Sequence, residues 1–299
     1  MNWKLILLIV LSVLGTNLLV HGQFSQKTGT FHLEINSSGQ ITRLSDTRND
    51  TDYLASETGC LIGIKVENEV VHPVSMKANK DILEFSFANG TMVSVKATNK
   101  NQYLRFEILA LNTQEEVGAI LWGPIKTTIS ETVGEFVGVV RNKDYAIGIQ
   151  ALNVKTTGGE LVNDEGGVFG VRGSAAVARN YGSSLQTFCI DRSKPQLIKV
   201  WNQFERAEVM ASPEFNLVGS AIALFGTPAE EALELIGHIE VEEGLPHILI
   251  DGEWGKASPK AGRPYIISSF GEETVDQMLD FTESVGFYSL YHSHPFSNW

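Results

Sequence analysis

From about Phe31 to Phe225, apolar residues recur at every second position between short runs of turn residues. A chain written this way covers its apolar side by building antiparallel sheets. In FHLEINSSGQITRL, Phe31, Leu33 and Ile35 alternate with His32, Glu34 and Asn36; Ser37, Ser38 and Gly39 turn the chain, and Ile41 and Leu44 resume the pattern. That spacing predicts a hairpin with one wet face. In ILEFSFANGTMVSVKA, Leu83, Phe85 and Phe87 lead to Asn89-Gly90, two residues that tolerate positive φ, and Val93 and Val95 lead away, which predicts a second hairpin. YLRFEILAL sets Leu104, Phe106 and Ile108 against Arg105 and Glu107, and EFVGVVRNKDYAIGIQALN reads as two strands joined near Arg141 to Asp144. LQTFCID and FNLVGSAIALFG add further strands, the last apolar on both faces. Roughly ten or more strands precede Gly226 with no convincing helix, and the simplest container for them is a large two-sheet antiparallel sandwich, a mainly β fold.

The texture changes at FGTPAEEALELIGHIEVEEGLPH. Thr227 as cap, Pro228 at the first helical position and Glu230 as the far half of a capping box predict a helix start. Ala229, Ala232, Leu233, Ile236 and Ile239 form its apolar stripe, and Gly244 and Pro246 stop it. ILIDGEWGKASPKAGRP, rich in Gly and Pro, reads as an interdomain connection carrying Asp251, Glu253 and Trp254. These three are candidate ligand contacts; the plainer alternative is that Trp254 plugs an interface while the carboxylates face water. PYIISSF then reads as a strand, Ser269 and Glu272 as another capping box, Val275, Met278, Leu279, Thr282 and Val285 as a helical stripe ending at Gly286, and FYSLYHS as a second strand. This is a β-α-β unit with a parallel pair. Two such strands bury only half their faces, so they need neighbours.

At the other end, Lys4 precedes the apolar run LILLIVLSVLG, and small residues follow at Val20 and Gly22. Residues 1–22 are therefore expected to be a secretory signal, leaving a secreted or periplasmic protein without a membrane anchor after cleavage. Losing Lys4 moves the formal net charge from −12 to −13. So acidic a chain, without clustered Lys and Arg, does not suit nucleic acid or anionic membrane as a partner. With 43% hydrophobic and 19% charged residues, 299 positions can bury one large core or two ordinary ones. Cys60 and Cys189, both in apolar strand-like settings, are either two buried thiols or one disulfide. Asn36, Asn49 and Asn89 head glycosylation sequons.

Taken together, FHLEINSSGQITRLSD, the strand-rich body with LWGPIKTTISETVGE and YAIGIQALN, the capped helix and the β-α-β start resemble exported bacterial glycoside hydrolases. In those enzymes a galactose-mutarotase-like β-supersandwich precedes a catalytic (β/α)8 barrel, as in the α-galactosidase and α-glucosidase clans. The resemblance implies a supersandwich over residues 23–226, a helical linker over 227–262, and the incomplete β-α-β start of a barrel over 263–299, which supply two strands of eight. It implies an oligosaccharide or polysaccharide substrate and no cofactor. Glycoside hydrolysis uses two carboxylates flanking the scissile bond; in the related clans they come from later strands, so the catalytic residues are not assigned in this chain, which by itself is expected to be inactive. Ser268, Ser269, Tyr291, His292 and His294 at the strand ends are expected to line a sugar subsite, with Trp299 as a stacking platform.

Two rival readings stay open. His292 and His294, two apart on a strand, point to one side and would suit a metal-dependent hydrolase. Alternatively the chain is a stand-alone carbohydrate-binding β-sandwich, for which Trp122 and Trp201 are the aromatic candidates, although Trp122 sits among apolar residues and reads as core. The remaining histidines, His32, His72, His238 and His247, read as surface or interface residues.

Overall fold

The computed structural model describes residues 23–292 except 58, 68, 135–136, 162–170, 173, 200–205 and 263. Residues 1–22, Trp201, His294 and Trp299 lie outside the described residues, so the readings made on them have no structural counterpart here. Among the described residues the chain is mainly β, with several antiparallel sheets and two α-helices, and it divides into two units after Leu235.

In the first unit, β1 (Phe24–Thr28), β2 (Phe31–Ile35), β3 (Ile41–Asp46) and β4 (Thr51–Asp52) form a four-stranded antiparallel meander. Then follow β5 (Ile62–Val66), β6 (Glu69–Val71), β7 (Pro73–Asn79), β8 (Ile82–Phe87), β9 (Met92–Asn99), β10 (Leu104–Asn112), β11 (Val117–Thr127), β12 (Thr132–Val133), β13 (Gly138–Arg141) and β14 (Tyr145–Ala151). After them come β15 (Thr157–Gly158), β16 (Glu160–Leu161), β17 (Val171–Arg172), β18 (Ala176–Arg179), β19 (Gly182–Ile190), β20 (Gln196–Lys199), β21 (Arg206–Val209) and β22 (Ala221–Pro228). An eight-stranded antiparallel sheet runs β12-β13-β14-β22-β10-β9-β8-β7, and a six-stranded one β15-β19-β11-β5-β6 with β18 also on β19. The two remaining pairs are β16 with β17 and β20 with β21.

Period-two patterning decides which side chains go inside. Leu83, Phe85 and Phe87 of β8, Val93 and Val95 of β9, and Leu104, Phe106 and Ile108 of β10 are all buried while their neighbours face out. They join Phe31 and Leu33 of the meander and Ile64, Trp122 and Leu185 of the six-stranded sheet in one hydrophobic cluster. Each fully buried large side chain there contributes about 1.5–3 kcal/mol relative to exposure. β22, apolar on both faces, lies between β14 and β10, and all eight of its residues are buried. Trp122 is fully buried and donates its indole N–H to Ser220 Oγ at 2.9 Å, so it is core and not a sugar platform.

Local chemistry departs from expectation at three places. Between β8 and β9 only Gly90 takes positive φ (82°), with Gly90 N–H donating to Phe87 O; Asn89 does not, so the turn is not the type with two positive φ values. Thr227 does not cap a helix. It is buried within β22, and its hydroxyl donates to Glu231 Oε2 at 3.4 Å; a 3-10 turn over Ala229–Glu231 with no side-chain cap intervenes before α1 (Ala232–Glu242). Within α1 the buried stripe is Ala232, Leu235, Ile236 and Ile239, three and four apart, and Leu233, about 100° round the helix from Ala232, is exposed. The second capping box also fails. A 3-10 turn over Glu272–Thr274 begins after Gly271 with no side-chain cap, leaving Ser269 outside the first turn.

In the second unit α1 ends in a Schellman motif: Leu245 N–H donates to Glu240 O and Gly244 N–H to Val241 O, with Gly244 at φ 67°. The stretch read as a plain connection contains a hairpin, β23 (Leu249–Ile250) with β24 (Glu253–Trp254). Its turn residues Asp251 (φ 52°) and Gly252 (φ 83°) give a type I′ geometry. β25 (Tyr265–Ser268), α2 (Val275–Ser284) and β26 (Ser289–His292) follow, and β25 pairs with β26 in parallel, Tyr265 opposite Ser289 and Ser268 opposite His292. Gly286 (φ 75°) closes α2 with a second Schellman motif, Phe287 N–H to Thr282 O. Among the described residues no helix is long and apolar enough to cross a membrane.

Candidate functional site

The strand ends of the parallel pair carry the chemistry-bearing side chains singled out in the sequence. Alternation along each strand divides them into two faces. Ile266, Ser268, Leu290 and His292 are half-buried, while Tyr265, Ile267, Ser289 and Tyr291 are exposed. Tyr291 and His292 therefore point to opposite faces and do not line one subsite from this strand. His292 also has a structural task. Its Nε2 is 2.7 Å from Phe270 O and 3.2 Å from the Phe270 N, donating to the one or accepting from the other according to tautomer, and its ring stands edge-on to Phe270 at 4.4 Å between centroids. It ties the end of β26 to the loop after β25.

Asp251, Glu253 and Trp254 belong to the hairpin. Asp251 forms an ion pair with Lys260, and Glu253 accepts from Ser258 Oγ at 3.3 Å. The Trp254 indole stacks on His247 (5.2 Å, 10° between planes), and its benzo ring lies so close to Gly237 that a Cβ there would sit 3.2 Å from Cζ3. One ring face is thus covered by the chain itself, by residues of the same unit. Beneath it, Glu240 of α1 is 2% exposed, paired with Lys256 and 3.1 Å from His247 Nδ1. Ion pairing and two hydrogen-bonding partners are what a carboxylate this buried requires. Hydropathy gave no sign of it, since Glu240 reads as one of several surface acids on a helix.

His32, expected at a surface or interface, is 9% exposed, with Nε2 2.9 Å from Ser25 Oγ and 3.3 Å from Glu34 Oε1, and burial lowers its pKa. His247 is half-buried, His72 exposed, and His238 pairs with Glu242 at 3.1 Å. Cys60 and Cys189 are buried free thiols, which removes the disulfide reading; burial raises each to about 11, far from a nucleophile's setting. Among the described residues no group of three or more His, Cys, Asp or Glu side chains is placed to hold a metal ion.

The first unit contributes a surface cavity of about 340 Å³, rimmed by Glu131, Thr132, Arg141, Lys143 and Glu230. Two carboxylates and two cations border it, so it presents no net sign to a ligand. None of the candidate residues from the sequence lies there. No protein-family model and no curated protein matches the chain.

Proposed function

We propose that this chain is the non-catalytic N-terminal portion of a secreted glycoside hydrolase that acts on an oligosaccharide or polysaccharide. In this reading residues 23–226 form a β-supersandwich and residues 263–299 contain the first two strands of a (β/α)8 barrel. The observation that best supports it is the parallel pair β25–β26, half-buried on one face and exposed on the other. Parallel strands occur with both faces covered, and a barrel does this with an outer ring of helices and an interior packed with side chains from the strands. Tyr265, Ile267 and Tyr291 would then be interior residues, and Ser268 would stand at the C-terminal edge, where barrel enzymes hold their substrates. One hydrophobic cluster shared by three antiparallel sheets supports the sandwich half of the reading. The two carboxylates that hydrolysis requires would come from later strands.

The test is to assay the whole product of the reading frame that encodes this chain beside the chain alone, using aryl glycosides of both anomers and an oligosaccharide panel. Hydrolysis by the whole product and none by the chain supports the proposal. A folded whole product that neither hydrolyses nor binds any glycan overturns it. N-terminal sequencing of the exported protein checks the leader, with Gln23 as the expected first residue.

A further inference from the structure

Asn89 is the only asparagine in the chain followed by glycine, and the glycoside hydrolase reading gives it no role. We propose that it is a site of spontaneous covalent modification, cyclising onto the Gly90 nitrogen, and that Glu115 restrains the reaction.

The Gly90 backbone nitrogen attacks Asn89 Cγ; a new N–C bond forms, the Cγ–Nδ2 bond breaks, and Nδ2 leaves as ammonia carrying the proton that the Gly90 nitrogen gives up. Water then opens the five-membered imide at either carbonyl, leaving aspartate or its β-linked isomer. No oxidant, reductant or partner is needed.

Three features of the turn favour the step. A Cβ on Gly90 would meet nothing within 4 Å, so the carbon beside the attacking nitrogen carries no side chain and has open space around it. Gly90 stands at φ 82°, at the exposed end of the hairpin. Asn89 Oδ1 accepts the Thr91 N–H at 3.2 Å, which places a donor on the oxygen where negative charge develops as nitrogen adds.

Two features oppose it. Gly90 N–H donates to Phe87 O at 3.0 Å, so the turn must open locally before attack. Asn89 Nδ2 donates to Glu115 Oε2 at 2.8 Å. A carboxylate accepting from the leaving nitrogen strengthens its conjugation with the carbonyl, and being ionised it has no proton to give the departing ammonia. Glu115 therefore lowers both electrophilicity and leaving ability. Once the amide is lost, two carboxylates face each other where a hydrogen bond stood, and the tip of the β8–β9 hairpin is pushed from the Thr113–Glu115 loop to which Thr91 Oγ1 also bonds at 2.9 Å.

The folded chain is held in mildly alkaline buffer and followed by peptide mass mapping with enzymatic labelling of β-linked aspartate. Asn89 is expected to convert before every other asparagine, Glu115→Ala to convert about tenfold faster, and Asn89→Gln to show no signal at this turn. Glu115→Gln, which keeps an acceptor without the charge, is expected to fall between. Circular dichroism confirms that each variant is folded. Earlier conversion of any other asparagine overturns the site, and a folded Glu115→Ala chain that converts no faster than the parent overturns the restraint.

Discussion

The two units treat apolar residues in opposite ways. In the first, Phe31, Phe85, Phe106, Trp122 and Phe225 are all but inaccessible to water, and exposed apolar residues are scattered. In the second, Tyr265, Ile267, Leu279, Phe281, Tyr288 and Tyr291 are each half or more exposed within a single β-α-β unit. The difference follows from strand pairing. Eight antiparallel strands make a sheet wide enough to share a core, whereas two parallel strands with one helix cover one face and leave the other bare. Stability should thus reside in the first unit, and the second should be held by its few polar ties.

The sharpest way to break this contrast is to truncate one aromatic residue in each unit. Phe106→Ala should lower the unfolding free energy by about 3–5 kcal/mol in a denaturant titration, while Phe281→Ala, made in parallel, should stay within about 0.5 kcal/mol. Equal losses would mean that the second unit is covered after all. Thiol labelling sharpens the same point: with both cysteines raised to about 11, only about one in a thousand is ionised at pH 8, so reaction should await unfolding. Lys256→Met leaves buried Glu240 with His247 as its remaining partner and should cost the second unit about 1–3 kcal/mol, read by hydrogen exchange across α1 and the β23–β24 hairpin. The smallest effect belongs to His32. Burial holds it below its ordinary 6.5, so its contribution is intact above that pH and is lost as pH falls from 6.5 toward the lower folded value, where the unfolded chain takes the proton first. His32→Gln should flatten that decline in unfolding free energy by under about 1 kcal/mol.

Legibility tracked how local the deciding interaction was. The hairpins at 31–46 and 82–99, the buried strand at 221–228 and both glycine helix stops could be read because each rests on residues within a few positions of one another, and the parallel pair, 24 residues apart, because one short helix is all that separates its strands. The I′ turn at Asp251-Gly252 was equally local and was passed over within a stretch taken as a connection. The capping boxes misled because Thr227 was claimed by a sheet partner and Ser269 by a later helix start, outcomes that a four-residue motif cannot register. Of the candidate site, Tyr291 and His292 were grouped in one subsite although strand alternation sets them on opposite faces, whereas the burial of Glu240 and His32 and the covering of Trp254 depended on residues that arrive from elsewhere in the chain.

The sequence by itself determined the periodicities, and with them the strands, the two helices and the points at which the chain turns, because backbone geometry ties period two and period 3.6 to neighbouring side chains. Only the tertiary structure decided which strands became neighbours, which polar groups were enclosed, and which apolar face was left bare, because burial is a property of everything that packs around a residue and not of the residue's own segment.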